Sequence, residues 1–124
     1  MIKKRAFIIG VTGQDGSYMS KFLLDKNYTV FGFTRSLKKK NLKNLKTLGI
    51  KKKINLKRYR DENLNTILRN IIKYKPQEIY FFSGQSSVNL SFENPIETYE
   101  SNINILFEIL ELLRVKKLNK IKVF

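Results

Sequence analysis

Three glycines at intervals of three, Gly10, Gly13 and Gly16, are the residues whose spacing most directly implies chemistry in this chain. They follow the apolar run Ala6-Phe7-Ile8-Ile9 and precede an amphipathic segment from Ser17 to Lys26. Strand, glycine turn and helix in that order form the start of a dinucleotide-binding fold, where the turn cradles a pyrophosphate. Each glycine has its own task. Gly10 permits the tight turn. Gly13 lets backbone N–H groups approach the phosphates, in a turn expected to have positive φ. Gly16 lets the helix pack close to the strand. The helix N-terminus adds partial positive charge for an anion.

Two further segments carry polar groups at the places where such a fold uses them. Phe33-Thr34-Arg35-Ser36 ends the second expected strand, and no carboxylate stands in it or next to it in sequence. An acidic residue there would hold the ribose hydroxyls of NAD, whereas an arginine accommodates the 2′-phosphate of NADP. Arg35 can stack on adenine and pair with that phosphate, and Ser36 can donate to it; the competing reading is one surface arginine among many basic residues. The position favours NADP. Phe82-Ser83-Gly84-Gln85-Ser86 follows the fourth expected strand. Its small residues would let the backbone approach the nicotinamide ribose, and Gln85 and Ser86 offer hydrogen bonds into a cleft. An ordinary polar loop would look the same, but strands one and four flank the crevice at the topological switch point.

The elements that must hold these segments alternate between strand and helix. Thr29 to Phe33 reads as the second strand, leucines at 42, 45 and 48 as a short helix closed by Gly49, and Ile54-Asn55-Leu56 as a weak third strand. Asp61 is placed to cap a helix whose apolar face is Leu64, Ile67, Leu68, Ile71 and Ile72, ended by Pro76. Glu78 to Phe82 makes the fourth strand. A long helix from Pro95 or Glu97 carries the stripe Ile103, Leu106, Phe107, Leu110 and Leu113, and Ile121 to Phe124 starts a fifth strand. The expectation is α/β: a Rossmann-like, doubly wound parallel sheet of strand order 3-2-1-4-5. Residues 1–124 form one NADP-binding domain, truncated in or after the fifth strand.

Composition narrows the function classes. The chain has 124 residues, no cysteine and no histidine, which removes disulfides, thiolate metal sites and the commonest acid–base group. No metal is expected. No apolar run is long enough to span a membrane, and the N-terminus lacks a signal-peptide pattern, so a cytoplasmic protein is expected. The net charge of +15 is concentrated between Lys38 and Arg60, which hold eleven basic residues and no acidic one. Such a run could neutralise nucleic-acid phosphates, but only Tyr59 supplies aromatic interleaving there. It is read as a solvated basic face, with no nucleic-acid partner.

The motifs also carry a family resemblance. Gly10-Val11-Thr12-Gly13-Gln14-Asp15-Gly16-Ser17-Tyr18 resembles the glycine loop of GDP-mannose 4,6-dehydratases, which are extended short-chain dehydrogenase/reductases. Pro76-Gln77-Glu78-Ile79-Tyr80, Gly84-Gln85-Ser86-Ser87-Val88 and Ser91-Phe92-Glu93-Asn94-Pro95 are similar to that family too. Asn44-Leu45-Lys46-Thr47-Leu48-Gly49-Ile50 resembles a branch with a short connection before strand three. The resemblance implies conversion of GDP-mannose to GDP-4-keto-6-deoxymannose by internal hydride transfer and water elimination, with bound NADP. It implies cofactor contacts at Gly10, Thr12, Gly13, Gln14, Asp15, Arg35 and Ser36 and along Phe82 to Ser86, and a homo-oligomer when full length.

The departures bear on catalysis. Ile9 stands where the family usually has threonine, and Arg58 and Tyr59 stand near the place of an acidic-plus-apolar pair that holds adenine. A family tyrosine that contacts the cofactor falls near Glu97. None of the tyrosines 18, 28, 59, 74, 80 and 99 is followed four positions later by lysine, so the family's phenolate base is missing. The chain therefore reads as the cofactor-binding front of a larger enzyme, without catalytic residues and inactive by itself. Two alternatives remain: a nucleotide-sugar epimerase or reductase of the same family, and a noncatalytic basic nucleic-acid-binding module.

Overall fold

The computed structural model describes residues 3–82 and 95–124, with side chains assigned for 3–82 and 103–124. Five strands form one sheet: β1 (Arg5–Ile9), β2 (Thr29–Thr34), β3 (Asn55–Arg58), β4 (Glu78–Phe81) and β5 (Lys122–Val123). Their order is β3-β2-β1-β4-β5 and every pairing is parallel, as the alternating pattern implied. The helices are α1 (Gln14–Asp25), α2 (Lys43–Thr47), α3 (Asn65–Tyr74) and α4 (Pro95–Val115), with short 3-10 turns at Lys39–Leu42 and Lys51–Lys53.

Because β1 and β2 are buried on both faces, their residues alternate between two cores. Phe7, Ile9, Phe31 and Phe33 face a core built with Ile67 and Ile71 of α3 and Ile105 and Ile109 of α4. Ala6, Ile8 and Val30 face the other, built with Leu23 of α1 and Leu42 and Leu45 of the β2–β3 crossover. The central rings touch at centroid distances of 5.2 Å for Phe7–Phe31 and 5.0 Å for Phe7–Phe33. This doubly covered sheet makes the C-terminal strand ends the place where loops can converge.

Three expectations need correction. Asp61 does not cap α3, whose N-cap position is Leu64 and carries no side-chain cap; the carboxylate pairs elsewhere, as described below. Ile72 of α3 is exposed, because Leu64, Ile67 and Ile71 already fill the sheet-facing side. On α4 the expected stripe is largely the wrong one. Ile105, Ile109 and Leu113 are buried, while Ile103, Phe107 and Leu110 are 43%, 62% and 47% exposed. Apolar residues encircle most of this helix, so its period alone could not choose the face that meets the sheet.

The turn after β1 is set by two glycines. Gly10 has φ of 89°, a conformation few other residues hold without strain, and its N–H donates to the Phe33 carbonyl at 2.9 Å. Gly16 packs so closely that an added Cβ would overlap the Gly10 carbonyl oxygen, with Val11 Cα at 3.0 Å. Both neighbours are backbone and cannot swing aside. Gly16→Ala should therefore lower stability by on the order of 1–3 kcal/mol, the usual cost of overpacking. Urea unfolding followed by circular dichroism measures it; unchanged stability would contradict the close approach.

Candidate functional site

At the C-terminal ends of β1, β2 and β4 lies a cavity of about 460 Å³. It is lined by Gly10, Thr12, Gly13 and Gln14 from the glycine turn, by Thr34, Arg35 and Ser36 after β2, and by Phe82 after β4. Lys40, Asn41, Lys43, Asn44 and Tyr59 complete the wall. Seven of the residues singled out in the sequence thus meet in one space. Asp15 and Gly16 do not line it: Asp15 is exposed in the first turn of α1, and Gly16 is buried beneath the turn. Ser83, Gly84, Gln85 and Ser86 lie outside the described residues.

The glycine turn leaves the start of α1 open. Gly13 occupies the N-cap position with φ of −73° and no side-chain cap, so the positive φ expected there belongs to Gly10 instead. A Cβ added at Gly13 would meet only the Gly10 oxygen at 3.6 Å, an ordinary contact. The space beside Gly13 is therefore not required by the protein's own packing. The first N–H groups of a helix have no intrahelical acceptor; here no side chain caps them, and the cavity reaches the helix start at Gly13 and Gln14.

Local hydrogen bonds fix the walls. Thr12 Oγ1 and Thr34 Oγ1 lie 3.1 Å apart, tying the glycine turn to the end of β2. Asn44 Nδ2 donates to the Thr12 carbonyl at 3.1 Å, which ties the turn to α2. Ser36 Oγ accepts from the Lys38 N–H at 3.3 Å, leaving its own proton to donate. Phe82 is held beside β1 by its N–H, which donates to the Ile9 carbonyl at 2.8 Å.

Arg35 departs from the sequence reading in one respect that matters. Although no carboxylate is near it in sequence, the fold brings Asp61 to it. Arg35 Nε lies 2.9 Å from Asp61 Oδ1 and 3.2 Å from Oδ2. Its guanidinium carbon also sits 5.6 Å from the centre of the Tyr59 ring, within cation–π range. The pair is partly exposed, so its net contribution to stability is small. Its effect on the cavity is larger, because it places a negative charge beside the one arginine expected to meet a phosphate.

Lys40, Asn41, Lys43 and Asn44 were not identified from sequence as site residues. The available signal was topological: a crossover leaving β2 must begin at the C-terminal edge of the sheet, so the first basic residues of the run start there. Among the described residues no group of acidic, histidine or cysteine side chains could hold a metal ion. Tyr28 and Tyr80 have pKa values raised by burial first and then by Glu78, whose carboxylate accepts from their hydroxyls at 3.1 Å and 3.3 Å. Both are thereby held further from the phenolate form.

Known proteins place this architecture. The family model described as GDP-mannose 4,6 dehydratase matches residues 7–124. The GDP-mannose 4,6-dehydratase of Vibrio cholerae is 35% identical over 127 residues, covering 96% of this chain and 33% of the relative. That of Cricetulus griseus is 38% identical over 97 residues, covering 73% of this chain and 26% of the relative. The chain thus spans about a third of the length of the curated relatives it matches. Among solved structures, UDP-glucose 4-epimerase from Thermus thermophilus in complex with NAD superimposes with a TM-score of 0.74 at 21% identity, covering 96% of this chain and 36% of that one. dTDP-glucose 4,6-dehydratase from Bacillus anthracis, also with NAD, gives 0.72 at 23%, covering 97% and 36%. At those identities the likeness is one of fold.

The contact most open to test is the one from Asn44. Asn44→Ala should cost about 1 kcal/mol of stability, the net worth of one hydrogen bond, and free the Thr12 carbonyl to exchange with water. Hydrogen exchange should then rise at Val11, Thr12 and Gly13. An unchanged exchange pattern would mean that α2 does not hold the turn.

Proposed function

The chain belongs to the GDP-mannose 4,6-dehydratase family, and on that premise we propose that it holds NADP for such an enzyme. The single observation that supports this is the convergence of the glycine turn, Arg35–Ser36 and Phe82 on one cavity at the C-terminal edge of the sheet. In this reading the backbone around Gly13 and Gln14 and the open start of α1 receive the pyrophosphate. Thr12 and Asp15 support the turn, Gly16 sets its depth, and Arg35 and Ser36 border the adenine ribose. Phe82 begins the segment through Ser83, Gly84, Gln85 and Ser86 that leads to the nicotinamide side. The fit rests on the room beside Gly13, which the fold itself does not use. When bound, the cofactor supplies the hydride acceptor and donor; this chain binds and orients it.

The whole enzyme would act on GDP-mannose, removing water to give GDP-4-keto-6-deoxymannose. We also read it as a cytoplasmic homo-oligomer. Two observations support that part: no helix among the described residues is long and apolar enough to cross a membrane, and α4 leaves Ile103, Phe107 and Leu110 exposed on one side.

Two outcomes follow. Calorimetry should show NADPH binding more tightly than NADH, and Gly13→Val should abolish both while the circular dichroism spectrum is retained. The added Cβ would make only an ordinary contact with the Gly10 oxygen and would stand in ligand space, so undiminished binding would reduce the glycine loop to a turn. Second, the pure 124-residue chain incubated with GDP-mannose and NADP should yield no 4-keto-6-deoxy sugar nucleotide by chromatography. Proton removal needs a base near its working pKa, and the chain has no histidine and no tyrosine with a lysine four residues on. Product above a no-protein control would locate a catalytic base within these residues.

A further inference from the structure

The charge around the cavity is unevenly compensated. Arg35, at the position expected to grip a phosphate, shares its charge with Asp61 through contacts of 2.9 Å and 3.2 Å. Lys40 and Lys43 line the same cavity, and neither makes an ion pair among the described residues. Both side chains are exposed at the rim, carried by the 3-10 turn Lys39–Leu42 and by the start of α2. The segment that carries them is fixed relative to the glycine turn by the Asn44–Thr12 hydrogen bond of 3.1 Å and by burial of Leu42 and Leu45.

Resting on the NADP reading above, we propose that Lys40 and Lys43, rather than Arg35 alone, select a nucleotide that carries a 2′-phosphate. Asp61 tunes that selection by neutralising Arg35. The arithmetic of charge is simple. The Arg35–Asp61 pair carries no net charge by itself and so offers little attraction at long range; Arg58, whose Nε donates to the Arg35 carbonyl at 3.3 Å, is not among the residues that line the cavity. The ammonium groups of Lys40 and Lys43, which line the same cavity and make no ion pair among the described residues, supply that attraction, and each can make a charge-assisted hydrogen bond to a phosphate oxygen. Arg35, held by Nε against Asp61 and close to the Tyr59 ring, is better placed to present a flat face to a base than to act as the sole counter-ion. The 2′-phosphate preference is thus a property of the crossover after β2, which lies outside the strand-end position usually examined for it.

The test compares adenosine 2′,5′-bisphosphate with adenosine 5′-monophosphate by calorimetry, so that nicotinamide contacts play no part. The unmodified chain should bind the bisphosphate more tightly. Lys40→Gln with Lys43→Gln should remove about tenfold or more of that preference and leave the monophosphate within about twofold, as loss of charged contacts to one phosphate would. Lys52→Gln with Lys53→Gln, which removes equal charge from the turn before β3, should change nothing. Asp61→Asn should strengthen bisphosphate binding by several-fold. Circular dichroism on each variant establishes that it is folded. Retained preference in the Lys40/Lys43 variant overturns the proposal, as does its complete loss in Arg35→Ala with Lys40 and Lys43 intact. Equal binding of the two nucleotides by the unmodified chain overturns phosphate selection but leaves the nucleotide site standing. Failure to bind either overturns the cofactor reading itself.

Discussion

The approach of α1 to the turn after β1 is the constraint on which the rest of the structure depends. Gly10 turns with positive φ, and it and Val11 both donate to the Phe33 carbonyl, at 2.9 Å and 3.2 Å, so the turn is referenced to the end of β2. The helix then starts directly above it, because Gly16 presents no Cβ to the Gly10 carbonyl. That depth lets Leu23 pack among Ala6, Ile8 and Val30, and buries Ser20, whose hydroxyl donates to the Gly16 carbonyl at 2.8 Å. An added methyl group at Gly16 would push α1 away from this contact and loosen its packing on the sheet. Thr12 and Asn44 extend the same reference to β2 and α2. The glycine turn, the end of β2 and α2 are therefore fixed relative to one another.

The large basic excess looks different once it is folded. In sequence it is a continuous run from Lys38 to Arg60. In space the crossover divides it, because the chain must travel from the C-terminal end of β2 to the N-terminal end of β3. Lys40 and Lys43 border the cavity with the glycine turn, whereas Lys53 borders a separate depression with Lys3, Asn27 and Tyr28 below the other end of the sheet. Arg58 returns to the first end, donating to the Arg35 carbonyl at 3.3 Å. Exposed charges further apart than about 10 Å are largely screened at moderate salt, so the two groups act separately. A parallel sheet thus turns one compositional feature into two local fields, and only one of them meets the candidate site.

Strand order, the glycine turn and the convergence of its partners on one edge were legible because each rests on local pattern plus the handedness of crossovers. The strands are buried on both faces and read as short apolar runs; the turns are marked by glycine and proline. What could not be read were contacts made across sequence distance by polar side chains. Asp61 is twenty-six residues from Arg35, and its position before an apolar helix made capping the natural expectation. The fold gave it another partner, since residues 60–64 form a turn of their own, with Asn63 Oδ1 accepting from the Asn65 N–H at 3.0 Å at the start of α3. Lys40 and Lys43 were lost for the opposite reason: they sat in plain sight within a run whose abundance hid which members were placed.

The misread stripe on α4 is informative in its own right. A helix on the surface of a two-sided α/β sheet normally carries one apolar face, and α3 is close to that rule. Between 103 and 113 α4 instead has Ile103, Ile105, Leu106, Phe107, Ile109, Leu110, Leu112 and Leu113, interrupted only by Asn104, Glu108 and Glu111. Ile105, Ile109 and Leu113 meet the sheet, at i, i+4 and i+8, a row that drifts about 40° per step around a helix of 3.6 residues per turn. Ile103, Phe107 and Leu110 make a second row, at i, i+4 and i+7, which is exposed and keeps to a narrower stripe. Periodicity identified that second row because it fits the helical template more closely than the first. Two such rows on one helix leave the period with no way to tell which meets the sheet, so the error in assigning the sheet-facing side and the apolar surface left on α4 have one physical origin.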